Sequence, residues 1–178
     1  MTEAPHDHRA AAGVTDPELA GLLEEHWEAT MRRWPTWASR LGDRRHDDLL
    51  PGADPEDHEA RRREERSFLE RARQLDPEGL DEADRLTREV FLEKVGGELA
   101  EDGLRFEEWT VSPRGNPVTS LGWLPEIRPL ETSGDVEPLL ARYRAFPSTV
   151  DGAIACLRLG LADGRVGNAD SVRRTLEM

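Results

Sequence analysis

Two of the three Asp-Pro steps, Asp16-Pro17 and Asp54-Pro55, each open a run in which apolar residues recur every three or four positions. An aspartate before a proline supplies the acceptor that caps a helix. Proline at the first helical position gives up an N–H that would have no intrahelical partner there. A chain punctuated this way folds mainly as helices. The first helix carries Leu19, Leu22, Leu23, Trp27, Thr30 and Met31 at helical spacing, and Pro35 should end it by disfavouring helical geometry at Trp34. The second should run from Pro55 to about Leu75. It is so charged that only Phe68, Leu69, Ala72 and Leu75 form a dry stripe, with Glu59 and Arg63 spaced for an i,i+4 pair.

Between these two helices, Trp37, Ala38 and Leu41 fit a short helical turn before Gly42, and His46 to Gly52 reads as loop. After the turn Asp76-Pro77-Glu78-Gly79, Asp81 caps a third helix with Ala83, Leu86, Val90, Phe91 and Val95 along one side. Gly96-Gly97 should weaken or end it. Residues 102–131 differ in kind: they hold four prolines and no sustained helical period, and read as one long irregular connection in which extended pieces at 108–111 and 118–121 are conceivable. Helical pattern returns at Val136, Leu139, Leu140, Tyr143 and Phe146, closed by Pro147. Ser148 should then cap a helix apolar nearly all round, with Val150, Ala153, Ile154, Leu157 and Leu161 on one face and Cys156 and Leu159 opposite. Asn168 starts a last helix with Ala169, Val172 and Leu176 in register. The expectation is a mainly α fold, an irregular array of about six helices in residues 15–178 behind a disordered tail at 1–14. The uncapped final helix suggests that the array is part of a larger all-helical fold.

Charge narrows the function classes. The chain carries 37 acidic against 24 basic residues, a net charge of −13, so phosphate backbones and anionic lipid are repelled by most of its surface. No partnership with nucleic acid or membrane is expected. The first 14 residues lack the apolar core of a secretory signal, and no apolar run approaches bilayer length, which reads as cytoplasmic.

No residue set completes a catalytic, cofactor or metal site. His58-Glu59 begins a zinc-peptidase pattern, but the second histidine that must follow one turn later is replaced by Arg62, so a solvated helix face is the better reading. His6 and His8 flank Asp7 in the tail, where ordering would oppose tight metal binding. His26 and His46 read as hydrogen-bonded structural histidines. Cys156 is the only cysteine, which excludes an internal disulfide and reads as a small buried hydrophobe. The segment 112–117 could bring Arg114 and a glycine backbone to an anion. The plainer reading is a proline-stiffened connection packed down by Trp109 and Trp123.

Leu22-Leu23-Glu24-Glu25-His26-Trp27 through Trp34-Pro35-Thr36-Trp37-Ala38-Ser39-Arg40-Leu41-Gly42-Asp43, then His46-Asp47-Asp48, resembles the opening of the bacterial domain-of-unknown-function 885 family. So do Ala141-Arg142-Tyr143-Arg144-Ala145-Phe146-Pro147 and Ile154 to Gly164. The resemblance implies an almost wholly helical protein similar in outline to carboxypeptidase Taq-like zinc peptidases. It also implies a His-Glu and Pro-Gly-His metal motif that lies beyond the matched residues. No ligand or catalytic residue carries over to this chain. Zinc belongs, on this reading, to a full-length parent, and the partner is the remainder of a longer chain. The alternative partner is another protein, bound by a stand-alone non-catalytic module.

Overall fold

A computed structural model describes residues 10–127 and 130–177, so most of the expected tail, His6 and His8 included, lies outside the described residues. Among them the chain forms seven α-helices, two short 3₁₀ turns and no strand, an all-α fold. The helices are α1 (Pro17–Arg33), α2 (Pro35–Arg40), α3 (Pro55–Gln74), α4 (Glu82–Asp102), α5 (Pro117–Ile127), α6 (Val136–Ala162) and α7 (Ala169–Leu176). None is long and apolar enough to cross a membrane. The chain divides into two compact units, Met1–Arg32 with Ala60–Leu104, and Arg33–Glu59 with Arg105–Met178.

The first unit is built on α1, α3 and α4. Asp16 caps α1 by accepting from the Glu18 and Leu19 N–H groups, and Asp81 caps α4 by accepting from Asp84 N–H. Leu19, Leu22 and Ala29 pack with Phe68, Leu69, Ala72 and Leu75 and with Phe91 and Val95 in one core cluster. The expected stripe of the second helix is therefore the buried one. Arg62 and Glu65 are buried beside it: Arg62 reaches Asp102, and Glu65 meets His26 Nε2 at 3.2 Å. His26 also stands edge-on to Phe68 and Phe91, a hydrogen-bonded core histidine.

The buried face of α4 is only partly the expected one: Phe91 and Val95 are in the core as expected, Leu86 and Val90 are not. Leu86 and Val90 are 62% and 59% exposed, and the core side is Asp84, Phe91 and Val95, with Leu92 and Leu99 packed against the cluster. Asp84 fixes this rotation, because its carboxylate accepts from Thr15 N–H, the Thr15 hydroxyl and Asp16 N–H at the head of α1. Nor does α4 end at Gly96-Gly97. It runs to Asp102, whose carboxylate is paired with Arg61 and Arg62, and burial of Val95 and Leu99 outweighs a glycine cost of about 1 kcal/mol each.

Asp84 also gives an acid-sensitive anchor. Burial pushes its carboxyl up, but the bonds from the Thr15 hydroxyl and from the Asp16 and Thr15 N–H groups outweigh it and hold the group below the usual carboxylate range. The folded value lies below the unfolded one. The stabilisation is therefore fully present above pH of about 4 and fades as pH falls through the folded value. Asp84→Asn should lower the melting temperature at pH 7 and lose less than the parent between pH 4 and pH 2. Circular-dichroism melts across that range check it, and parallel curves would discount the anchor.

In the second unit α6 is the spine. It continues through Pro147, where a break was expected, as one 27-residue helix. The ring removes one N–H donor, but packing on both sides keeps the helix whole: Arg142 is buried before the proline, and Gly152, Cys156 and Gly160 are buried after it. The stripe that packs is thus the small-residue one. Ile154, Leu159 and Leu161, expected to make this helix central, are exposed. The segment 102–131 is also more regular than its prolines suggest, since it holds a 3₁₀ turn at Phe106–Glu108 and the whole of α5. Asn116 caps α5 by accepting from Thr119 N–H, and Pro117 follows as its first residue.

Candidate functional site

The second unit carries a cleft of about 620 Å³ lined from α2, the loop 50–53, the head of α3, α5 and α6. Local sequence sets each wall. Pro35 keeps Trp34 out of helical geometry (φ −117°, ψ 64°), so Trp34 stands at the head of α2 and Trp37 one turn later. Gly42, at φ +90°, turns the chain back after α2 in a conformation that costs a glycine little. In the segment that follows, the Arg45 guanidinium holds the Asp43 carboxyl down at about 2 against the upward push of burial. Asn116 ties the entry to α5: its amide donates to Ser112 C=O and its oxygen caps the helix. That placement brings Trp123 and Leu124 to the cleft, with Phe146 of α6.

Arg142 holds α2 and the loop behind it in place. This arginine on α6 is buried, and its guanidinium donates to the carbonyls of Leu49 (2.9 Å), Pro35 (3.2 Å) and His46 (3.2 Å) and to the Ser39 hydroxyl (2.7 Å). The Ser39 hydroxyl lies 2.6 Å from Asp47 Oδ1 and 2.9 Å from Pro35 C=O, so its one proton goes to the carboxylate, the stronger acceptor. Burial lowers the pKa of Arg142, partly offset by the nearby charges of Asp47 and Asp48. Below it, Arg44 pairs with Asp135 at 2.5 Å. Asp135 in turn accepts from Thr132 and Glu131 N–H groups and from the Thr132 hydroxyl, which hold its carboxyl low.

The residues singled out from sequence fall in different places. His58 is half-buried and lines the cleft, and Glu59 accepts from Arg105 Nη2 at 2.8 Å, so this pair is not the solvated helix face expected of it. His46 contributes its carbonyl to Arg142. Cys156 is buried, with Sγ 3.4 Å from Ala53 C=O, in an environment that gives it the role of a small packing residue. Arg114 is exposed, and its loop is braced by Ser112 and Asn116. Trp109 rests against Phe106, but Trp123 does not pack the connection down: it is 55% exposed at the cleft. Among the described residues no group of three or more His, Cys, Asp or Glu side chains is placed to hold a metal ion. Sequence reasoning passed over the cleft itself, although Trp34, Trp37 and Trp123 were visible as tryptophans flanked by prolines.

The profile of a family described as "Bacterial protein of unknown function (DUF885)" matches residues 35–178. The chain belongs to this family. The match takes in every residue of the cleft except Trp34, and within it the DUF885 residues Arg142, Ser39 and Asp47 form the buried polar junction. A comparison with curated proteins gives no match.

Proposed function

We propose that this chain is the amino-terminal helical part of a peptidase-like hydrolase, and that it forms a wall of the substrate cleft while the water-activating groups lie outside it. The observation that carries this reading is the tryptophan-lined cleft. Its volume is in the range of sites for small ligands or side chains, about 300–1,000 Å³. Trp34, Trp37 and Trp123 leave 38%, 50% and 55% of their surface exposed, apolar area that a bound side chain would cover. The likeness in outline of DUF885 members to carboxypeptidase Taq-like zinc peptidases supports the choice of reaction class.

Titration with the uncharged probe N-acetyl-phenylalaninamide, followed by tryptophan fluorescence, tests it. Saturable binding is expected, with N-acetylglycinamide giving none. Trp123→Ala should weaken binding about tenfold or more, since stacking on one aromatic ring is worth about 0.5–1.5 kcal/mol beyond the buried area. Peptide hydrolysis by this chain with zinc added should be absent, and turnover abolished by one side-chain change in it would overturn the reading. Absence of probe binding would favour the alternative, a stand-alone non-catalytic module whose exposed Ile154, Leu159 and Leu161 dock a protein partner.

A further inference from the structure

One residue in five of this chain is acidic, yet no aspartate or glutamate is among the described residues that line the cleft. The lining has a single residue that is always charged, Arg40, from the last turn of α2. Two of the other polar residues there, Asn116 and Ser120, are tied into the fold. Asn116 spends its amide on Ser112 C=O and Thr119 N–H, and the Ser120 hydroxyl donates to Asn116 C=O. Several arginines of the second unit are held by carboxylates: Arg44 by Asp135, Arg45 by Asp43, Arg105 by Glu59 and Glu108, Arg144 by Glu137, Arg165 by Glu108 and Asp163, and Arg173 by Asp170. Among the described residues no ion pair engages Arg40. Arg40 is therefore the one permanent charge that lines an apolar, tryptophan-bordered space whose described lining holds no carboxylate.

We infer that the cleft takes a ligand with an apolar or aromatic body and one carboxylate, with Arg40 gripping the carboxylate and the tryptophans covering the body. The inference rests on the cleft reading above and adds its charge selection. Planar guanidinium and carboxylate match in a two-point bond, and an aromatic body fills space that water solvates poorly. A cationic ligand finds no carboxylate in the described lining and meets the like charge of Arg40, which opposes the pull of the tryptophan faces on a cation. The carboxylate can belong to a free aromatic acid or to the last residue of a peptide.

The test compares N-acetyl-phenylalanine with N-acetyl-phenylalaninamide on the full chain, by calorimetry and tryptophan fluorescence. The acid should bind about five- to tenfold tighter than the amide, a modest ratio because Arg40 is solvent-exposed. Arg40→Gln should erase that ratio while leaving amide binding and the melting temperature in place. Arg40→Lys should restore part of it. Equal affinity for acid and amide, or a preference that survives Arg40→Gln, overturns the assignment of Arg40 and leaves the cleft reading standing. Failure of both probes to bind overturns the cleft reading, and this assignment with it. Two further arms, 3-phenylpropionate and the tripeptide Gly-Gly-Phe, separate the sources: tighter binding of either one, lost in Arg40→Gln, supports the assignment and names the source.

Discussion

Arg142→Met is expected to cost the second unit about 3–5 kcal/mol, enough to unfold it or leave it loosely packed at 37 °C. The side chain is buried and donates to three backbone carbonyls and one hydroxyl, all from residues 35–49. Methionine fills much of the volume but donates nothing. The Pro35, His46 and Leu49 carbonyls then lose a donor. His46 C=O keeps Leu49 N–H and Pro35 C=O has the Ser39 hydroxyl beside it, whereas Leu49 C=O is left unpaired, at about 1–3 kcal/mol. The buried Asp47 carboxylate also loses one of two nearby positive charges, keeping Arg44 at 3.8 Å. Arg142→Lys should fall between: it keeps the charge, but its compact ammonium cannot span the donors that a planar fork reaches. Urea unfolding followed by circular dichroism measures both. A loss under about 1 kcal/mol for Arg142→Met would mean that α2 and the following loop are held by apolar packing instead. Because α2 carries Trp34 and Trp37 at its head, the same variant should also weaken probe binding wherever enough folded protein remains.

That junction also marks where reading the sequence stops working. The helix starts at Asp16-Pro17, Asp54-Pro55, Asp81 and Asn168 were legible because a cap and its N–H partner lie within three residues, so the signal is local. The start of α5 used the same signal, Asn116-Pro117, and was missed because four prolines drew attention to the breaks in the segment. Arg142 could not be read at all. Its acceptors lie 93 to 107 residues away, and an arginine on an amphipathic helix looks like a solvated one until the fold closes on it. The same holds for the face of α4. Period alone favoured Leu86 and Val90, but a carboxylate at position 84 that accepts from Thr15 and Asp16, just before α1, sets the rotation instead. Family likeness was legible in the runs 35–43 and 141–164, which the family profile covers, while residues 22–34 lie outside the match. The cleft requires four separate stretches of chain to be brought together.

Gly160→Ala should destabilise the second unit by about 2–3 kcal/mol, although alanine is the better helix former by about 1 kcal/mol. A methyl group built at Gly160 would sit 1.9 Å from the carbonyl oxygen of Glu108 and 2.7 Å from its carbon, both backbone atoms. The 3₁₀ turn at Phe106–Glu108 has little freedom to retreat. Arg105, which precedes it in the left-handed region at φ +52°, donates to the buried Glu108 side chain, and Arg165 pairs with the same carboxylate. Moving the turn by the ångström or more that a Cβ requires means breaking that buried pairing or tilting α6. The contrast that isolates this cause is Gly96→Ala in α4, where an added Cβ meets nothing within 4 Å. There the helix propensity acts alone, and a gain of about 0.5–1 kcal/mol is expected. One substitution in two helices should thus carry opposite signs in parallel denaturation curves. If Gly160→Ala is neutral or stabilising, the turn is free to move, and the close approach of α6 to Glu108 contributes nothing to holding the unit together.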